Sequence, residues 1–339
     1  MDNRHQKTKA LPILLLIFII LCLNFVSNQS KININRRNSA KYENSLINSG
    51  YRYKDDLSYK KSILSIMKKY SLEDLDFLMG PEELAYYIKK YNDDYSYYAY
   101  GQFNPPNNFH IENKNFRANL NVHSTISDGN VNIKDILDQA AQYADVLAES
   151  FPNEKYIIAI TDINSVDGAK TILETIKADP EKYKNIRVVF GIEIPTTLEY
   201  NSTIKDSTDI NLLVYCINPF DKNILNEFPP LGVFDNYDSS RKDFDEIVKF
   251  LGKQKYVIYG IAKPMEAVSN ANSKEEFIDN LLAYYTKGYD KLRFAEAYYD
   301  PYTYNYFPEY NYLLEKLNSM GIYKVGSIDQ FEDKIFRYY

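Results

Sequence analysis

The sequence predicts an α/β domain over residues 113–339, with a largely parallel sheet that is either open or closed into a barrel. Two observations support this fold class. Seven short apolar runs suit buried strands, and helical segments with an apolar face separate most of them. The runs are Phe116–Val122, Tyr156–Thr161, Ile186–Phe190, Leu212–Ile217, Tyr256–Ile261, Leu292–Ala297 and Tyr323–Val325.

The chain begins with a strongly apolar segment, and we predict that residues 1–30 form a signal anchor. Ala10–Ser30 contains no charged residue, and a helix of this length spans roughly 31 Å, enough for the hydrocarbon core of a membrane. Arg4, Lys7 and Lys9 precede it, as in the basic start of an export signal. We therefore expect an uncleaved transmembrane helix that tethers an extracytoplasmic protein to the membrane.

Residues 31–112 are predicted to form a polar and partly helical spacer. The first part is rich in Asn and Lys, a composition that is typical of segments without a packed core. Ser71 and Asp74 then resemble a helix capping box, and Pro81 with the two glutamates after it suits a first helical turn. The stretch Asn92–Asn108 is rich in Asp, Tyr, Pro and Asn, which is typical of a linker.

The composition excludes several classes of function. The formal net charge is -6 and the pI is about 5.3, so we expect no nucleic-acid partner, since binding to phosphates needs a basic surface. Cys22 and Cys216 are the only cysteines, too few for a disulfide framework or a cysteine zinc cluster. The only histidines are His5, His110 and His123, too few for a site that requires several imidazoles.

Polar residues follow several of the predicted strands, where the chemistry of parallel α/β sheets is usually located. A single polar residue at a strand end more often has a structural role. Five such fragments, each after a predicted strand and in chain order, favour a functional site. The fragments are Asn121-Val122-His123 with Ser127-Asp128-Gly129, Thr161-Asp162-Ile163, Gly191-Ile192-Glu193, Ala262-Lys263-Pro264 and Asp329-Gln330-Phe331.

In their order and spacing these fragments resemble the polymerase and histidinol phosphatase (PHP) family, whose pattern runs HxH, SDG, TDH, GIE, AHP and a terminal DxH. The resemblance extends from about Asn115 to Phe331. It implies a distorted (β/α)7 TIM-like barrel, up to three divalent metal ions, and hydrolysis of phosphate esters.

The resemblance implies a divergent member of the family, because most of the metal-binding histidines are replaced. Asn121 stands in place of the first histidine, and Ile163, Lys263 and Phe331 replace three others. Asn211 is expected to replace a fifth on the next strand. The carboxylates of the pattern all remain.

The resemblance assigns one metal ion to Asn121, His123, Glu193 and Asp329 in this chain, and Asp128 to another. Three good ligands and an amide oxygen form a hard set of donors, which suits Mg²⁺, Mn²⁺ or Ca²⁺ better than Zn²⁺. The expectation is therefore either no metal or a single divalent cation.

Lys263 and Asp162 are the candidate catalytic residues. An ammonium group has no lone pair for a metal, so we expect Lys263 to substitute for an ion beside Glu193 and to offer a charge for a phosphorylated small molecule. Glu296 is expected to lie near the same mouth of the barrel. We predict a membrane-tethered, non-catalytic binding or structural module. The alternative is a metal-dependent phosphoesterase that uses one or two divalent ions.

Overall fold

The computed structural model describes most of the chain after residue 53. The described residues are 54–89, 118–152, 154–201, 206–227, 241–286, 291–298 and 308–326. The predicted anchor (residues 1–30), the linker Asn92–Asn108 and Asp329 lie outside these ranges. Within them, no helix has the length and apolar character needed to span a membrane.

The elements alternate along the chain as the apolar pattern predicts. The helices are α1 (Lys54–Ile66), α2 (81–89), α3 (Ile133–Ser150), α4 (Gly168–Ala178), α5 (Lys222–Glu227), α6 (Phe244–Lys253), α7 (Pro264–Asn270), α8 (Lys274–Thr286) and α9 (Pro308–Ser319). The strands are β1 (Ala118–Val122), β2 (Tyr156–Ile160), β3 (Ile186–Asn201), β4 (Asp206–Tyr215), β5 (Lys242–Asp243), β6 (Ile258–Ala262), β7 (Leu292–Tyr298) and β8 (Tyr323–Gly326).

The strands form one curled, half-barrel sheet in the order β1-β2-β3-β4-β6-β7-β8, with β5 on β3. Most neighbours are parallel, whereas β4 is antiparallel to both β3 and β6. Strands β2 and β6 are buried along their whole length, which explains their continuous apolar sequences. The predicted α/β class is thus confirmed, and the curled sheet is consistent with a TIM-like barrel.

Two aromatic side chains pack against each other inside the curled sheet. The rings of Tyr215 and Phe294 stack with centroids 5.2 Å apart, and Tyr215 Oη donates to the carbonyl of Leu120 at 2.5 Å. Strands β4 and β1 are not neighbours in the sheet, so this bond crosses the interior. A Cβ atom at Gly260 would lie 2.4 Å from the ring of Phe294, so glycine is required for this packing.

The segment that was predicted as a spacer contributes side chains to the domain core. Leu78 forms a parallel bridge with Val188 of β3, and the Met79 amide donates to the Val188 carbonyl at 2.9 Å. The Val188 amide in turn donates to Phe77 O at 3.0 Å. Tyr59 of α1 is buried and donates its hydroxyl to Ile217 O at 2.8 Å. Residues 77–79 thus extend the sheet along the first half of β3.

Helices α1 and α2 cap each other at their amino ends. The carboxylate of buried Asp56 in α1 accepts hydrogen bonds from the amides of Glu82 at 2.7 Å and Glu83 at 3.1 Å. In return, Glu82 accepts from the amide of Asp55 at 3.2 Å. A Cβ atom at Gly80 would lie 2.3 Å from Asp56 Oδ1, so this approach requires a glycine. The two helix starts therefore satisfy each other's free amides.

We expect Asp56→Asn to remove a pH dependence of stability. Burial raises the pKa of Asp56 from 3.8 to about 6, against the backbone hydrogen bond from Glu82, which lowers it. Because the folded state then binds the proton more tightly, this group's contribution to stability falls as the pH rises from about 4 to 6. Asparagine keeps an acceptor oxygen without the charge.

The measurement is urea denaturation of the wild type and the variant at pH 4.5 and pH 7.5. From pH 4.5 to pH 7.5, the free energy of unfolding of the wild type should fall by about 1–2 kcal/mol more than that of Asp56→Asn. Asp76→Asn, at an exposed carboxylate of the same segment, is the control and should follow the wild type. An unchanged pH dependence in Asp56→Asn would contradict the assignment.

Candidate functional site

The carboxyl ends of the strands bring together most of the polar residues that the sequence singled out. They are Asn121 and His123 at the end of β1, Asp162 after β2, Glu193 in β3, Asn211 in β4, Lys263 after β6 and Glu296 in β7. The antiparallel strand β4 joins the two halves of the sheet, because Asn211 pairs with Pro195 on one side and with Ala262 on the other. Asp329 lies outside the described residues.

Glu193 is the centre of the site. Its Oε2 accepts from Asn121 Nδ2 at 3.0 Å and lies 3.0 Å from His123 Nε2, and its Oε1 accepts from Asn211 Nδ2 at 2.5 Å. The side chain is only 2% exposed. Both oxygens of this buried carboxylate are thus engaged by neighbouring side chains, as a buried charge requires.

His123 lies between two carboxylates. Its Nδ1 is 2.6 Å from Asp128 Oδ1, and its Nε2 is 3.0 Å from Glu193 Oε2. A carboxylate accepts hydrogen bonds and does not donate them, so both ring nitrogens must carry a proton for both contacts to form. The arrangement therefore favours an imidazolium, which has no nitrogen lone pair left for a metal ion.

The charges around Glu193 stabilise its ionised form. Burial alone would raise the pKa of Glu193, but the positive charge and hydrogen bond of His123, the charge of Lys263 and the amide of Asn211 lower it to about 2. Glu193 is therefore an anion at neutral pH, in contact with positively charged and amide groups.

Asn121 presents its amino group to the site. Thr161 Oγ1 donates to Asn121 Oδ1 at 2.6 Å, and Thr161 Oγ1 itself accepts from the amide of Val122 at 3.1 Å. This fixes the amide so that Nδ2 faces Glu193, with the carboxylate of Glu296 at 3.4–3.5 Å from the same nitrogen. Asn121 Oδ1, the atom that could bind a metal ion, thus accepts a hydrogen bond from Thr161.

Lys263 occupies the turn between β6 and α7 in a left-handed conformation, with φ 39° and ψ 53°. Its amide donates to Glu296 Oε2 at 3.1 Å, which joins Glu296 to the site. The conformation is unfavourable for a residue with a Cβ atom, and backbone strain of this kind is concentrated at functional sites. Lys263 is partly exposed, whereas Glu296 is buried.

Asp162 is buried and contacts the loop after β1. Its carboxylate accepts from the amide of Ser124 at 2.7 Å and from the hydroxyls of Ser124 and Ser127, each at 2.8 Å. A small crevice beside it, with a cavity volume of about 10 Å³, is lined in part by Ser165 and Gly168. That space suits about one water molecule and no larger ligand.

Arg241, directly before β5, reaches the site, and no motif or periodic pattern in the sequence pointed to it. Its Nε lies 3.1 Å from Asp209 Oδ2, and its Nη1 donates to Asn211 Oδ1 at 3.4 Å and Thr196 O at 3.5 Å. Strand β5 has only two residues, too few for a periodic pattern. Arg241 therefore holds Asn211 from the side opposite Glu193.

Comparisons with known proteins identify no family for this chain. No family model matches it, and no curated protein sequence matches it. Among solved structures, an amidohydrolase from Chromobacterium violaceum with bound sulfate and no metal matches with 12% identity and a TM-score of 0.38. The match covers 63% of this chain and 87% of that one. The resemblance to the PHP family is thus not confirmed and stays a prediction.

The described residues fit a metal ion poorly. Across the described ranges, no group of three His, Cys, Asp or Glu side chains is arranged to hold one. Both nitrogens of His123 face carboxylates, and the oxygen of Asn121 is engaged by Thr161. Among the described residues that the resemblance assigns to a metal, Asn121, His123 and Glu193 are instead engaged in hydrogen bonds with each other, with Asp128 and with Thr161.

Proposed function

We propose that the chain is a membrane-tethered, extracytoplasmic module with a distorted (β/α)7 barrel of PHP type and without catalytic activity. Its metal centre would be replaced by a network of hydrogen bonds and compensating charges. The observation that carries this proposal is the position of His123, whose two ring nitrogens lie at 2.6 and 3.0 Å from carboxylate oxygens.

The charges of the network support a metal-free state. Asp128, Glu193 and Glu296 supply three negative charges, and the His123 imidazolium and Lys263 supply two positive charges. A divalent ion would change the net charge of this set from -1 to +1. Its binding would therefore require the release of at least one proton from His123, which makes it unfavourable at neutral and acidic pH.

The burial of the network supports a binding or structural role. Hydrolysis requires that water and substrate reach the reacting groups, yet Asn121, His123, Glu193 and Glu296 are all buried. Lys263 is partly exposed at the mouth. We propose that a phosphorylated small molecule, if one is bound, would contact this lysine rather than the buried carboxylates.

A second candidate is a metal-dependent phosphoesterase that uses one or two divalent ions. The observation that favours it is the distance of 3.0 Å between His123 Nε2 and Glu193 Oε2. Deprotonation of His123 would make His123 Nε2 and the Glu193 carboxylate available as metal ligands. Asn121 and Asp329 would be the other two ligands. Mg²⁺, Mn²⁺ or Ca²⁺ would suit such an oxygen-rich set better than Zn²⁺.

Metal content distinguishes the two candidates. The full chain, purified in detergent without a metal-binding tag, is incubated with Mn²⁺, Mg²⁺ or Zn²⁺, passed over a desalting column and analysed by mass spectrometry. We expect well below one equivalent of each metal and no hydrolysis of p-nitrophenyl phosphate. About one equivalent in the wild type that is lost in Glu193→Gln would overturn the proposal and support the phosphoesterase.

A further inference from the structure

We infer that Asp162 is a positioning residue that holds the loop after β1 so that Asp128 stays in contact with His123. The inference concerns how the polar network is assembled, and it goes beyond the proposed binding role because it holds whether or not a ligand binds. It also differs from the catalytic role that the sequence suggested for Asp162.

The carboxylate of Asp162 accepts three hydrogen bonds from one loop. Oδ1 accepts from the amide of Ser124 and the hydroxyl of Ser127, and Oδ2 accepts from the hydroxyl of Ser124. All three distances are 2.7–2.8 Å, and Asp162 is buried. Short hydrogen bonds to an ionised acceptor are among the strongest in proteins. Asp162 therefore fixes both the start and the middle of the loop.

The loop is also tightly folded on itself. The amides of Ser127 and Gly129 both donate to Ser124 O, at 3.1 and 3.0 Å. A Cβ atom at Gly129 would lie 2.2 Å from the backbone oxygen of His123, so the loop packs directly against the residue that it follows. Since Ser124 anchors both turns, its position determines where Asp128 lies.

Asp128 needs this support because its carboxylate is partly exposed and could be solvated by water instead of contacting His123. Its side chain is 27% exposed, whereas that of His123 is 2% exposed. An exposed carboxylate gains little from an ion pair unless the geometry is held. Glu193 lies on strand β3, so its contact with His123 does not depend on the loop. Loss of Asp162 should therefore separate Asp128 from His123 and leave the Glu193 contact in place.

The test is the hydrogen-bonded proton on Nδ1 of His123 in the full chain, labelled with ¹⁵N at histidine and studied by NMR. His123→Gln assigns the signal among the three histidines. We expect a strongly deshielded proton in the wild type, because Nδ1 lies 2.6 Å from Asp128. Asp162→Ala should lose this signal, as Asp128→Asn should. Asp162→Asn should recover it in part, because an amide oxygen still accepts from Ser124.

The control is Asp167→Ala, which removes an exposed carboxylate that makes no capping bond at the start of α4, and it should leave the signal unchanged. Near-ultraviolet circular dichroism monitors the fold. If Asp162→Ala does not fold, Ser127→Ala removes only one of the three bonds and should shift the signal towards the Asp128→Asn spectrum. A signal that keeps its wild-type position in folded Asp162→Ala, or in both Ser127→Ala and Asp162→Asn, would overturn the inference.

Discussion

Glu193→Gln is expected to lower the free energy of unfolding by about 3–5 kcal/mol at pH 7, because it removes the central charge of a buried network. Glu193 accepts from Asn121 and Asn211 and is paired with His123. A glutamine at this place has one acceptor oxygen, so its amino group would face a hydrogen-bond donor, either the amide of Asn211 or those of Asn121 and His123. The imidazolium of His123 would then be buried beside a neutral group.

The effect of Glu193→Gln should depend on pH in a defined direction. The pKa of Glu193 in the folded protein is about 2, below the usual value of 4.5. A carboxylate with a lowered pKa contributes fully to stability above about pH 4.5, and the contribution is lost as the pH falls from 4.5 to 2. The difference between wild type and variant should therefore be large at pH 7 and small near pH 2.5.

The measurement is urea denaturation of both proteins at pH 7 and pH 2.5. Glu199→Gln is the matched control, because Glu199 lies on the same strand β3 and is exposed. Its stability should stay within about 0.5 kcal/mol of the wild type. A Glu193→Gln variant that is as stable as the wild type at pH 7, or a difference that does not shrink at low pH, would contradict the assigned network.

Lys263→Met is expected to lower the free energy of unfolding by about 1–2 kcal/mol at pH 7, less than for a fully buried ion pair because Lys263 is partly exposed. Methionine keeps most of the apolar stem but removes the charge that lowers the pKa of Glu193. Of the positive charges of His123 and Lys263, which both lower the pKa of Glu193, only that of His123 would then remain. Lys263→Arg keeps the charge and should remain within about 1 kcal/mol of the wild type. Thermal and urea denaturation measure both, and equal stability of Lys263→Met and the wild type would contradict the charge replacement.

The backbone of Lys263 provides a separate measurement at the same position. Its φ of 39° is a conformation that glycine adopts without cost. Lys263→Gly should therefore be more stable than Lys263→Ala by about 1 kcal/mol, although both lack the ammonium group. If Lys263→Ala were as stable as Lys263→Gly or more stable, the turn would not be strained.

Strands β2 and β6 were predictable because they are buried on both faces, which produces an unbroken apolar run in the sequence. Strand β3 was predicted to end at Phe190 but continues to Asn201. Its second half forms a hairpin with β4, where polar residues such as Thr197 and Glu199 alternate with buried ones. No apolar run marks this half, so its extent could not be predicted from the apolar pattern.

The site was predictable only in part. The placement of His123 and Lys263 directly after strands β1 and β6 was predicted, whereas Glu193 was expected after a strand and lies within the longer β3. The contact of Asp128 with His123 and the approach of Arg241 to Asn211 depend on how loops fold back, which no local pattern encodes. The packing of residues 54–89 on the sheet was missed for the same reason, because its partners lie far along the chain.

That packing has a consequence for synthesis on the ribosome. Tyr59 and its partner Ile217 are 158 residues apart, so at typical elongation rates roughly 8–30 s pass between the synthesis of the two. During this time the apolar side chains of residues 54–89 lack the strand against which they pack. This early-made segment therefore reaches its native place only after the middle of the domain has emerged, and a chaperone that shields its apolar side chains until then would favour folding.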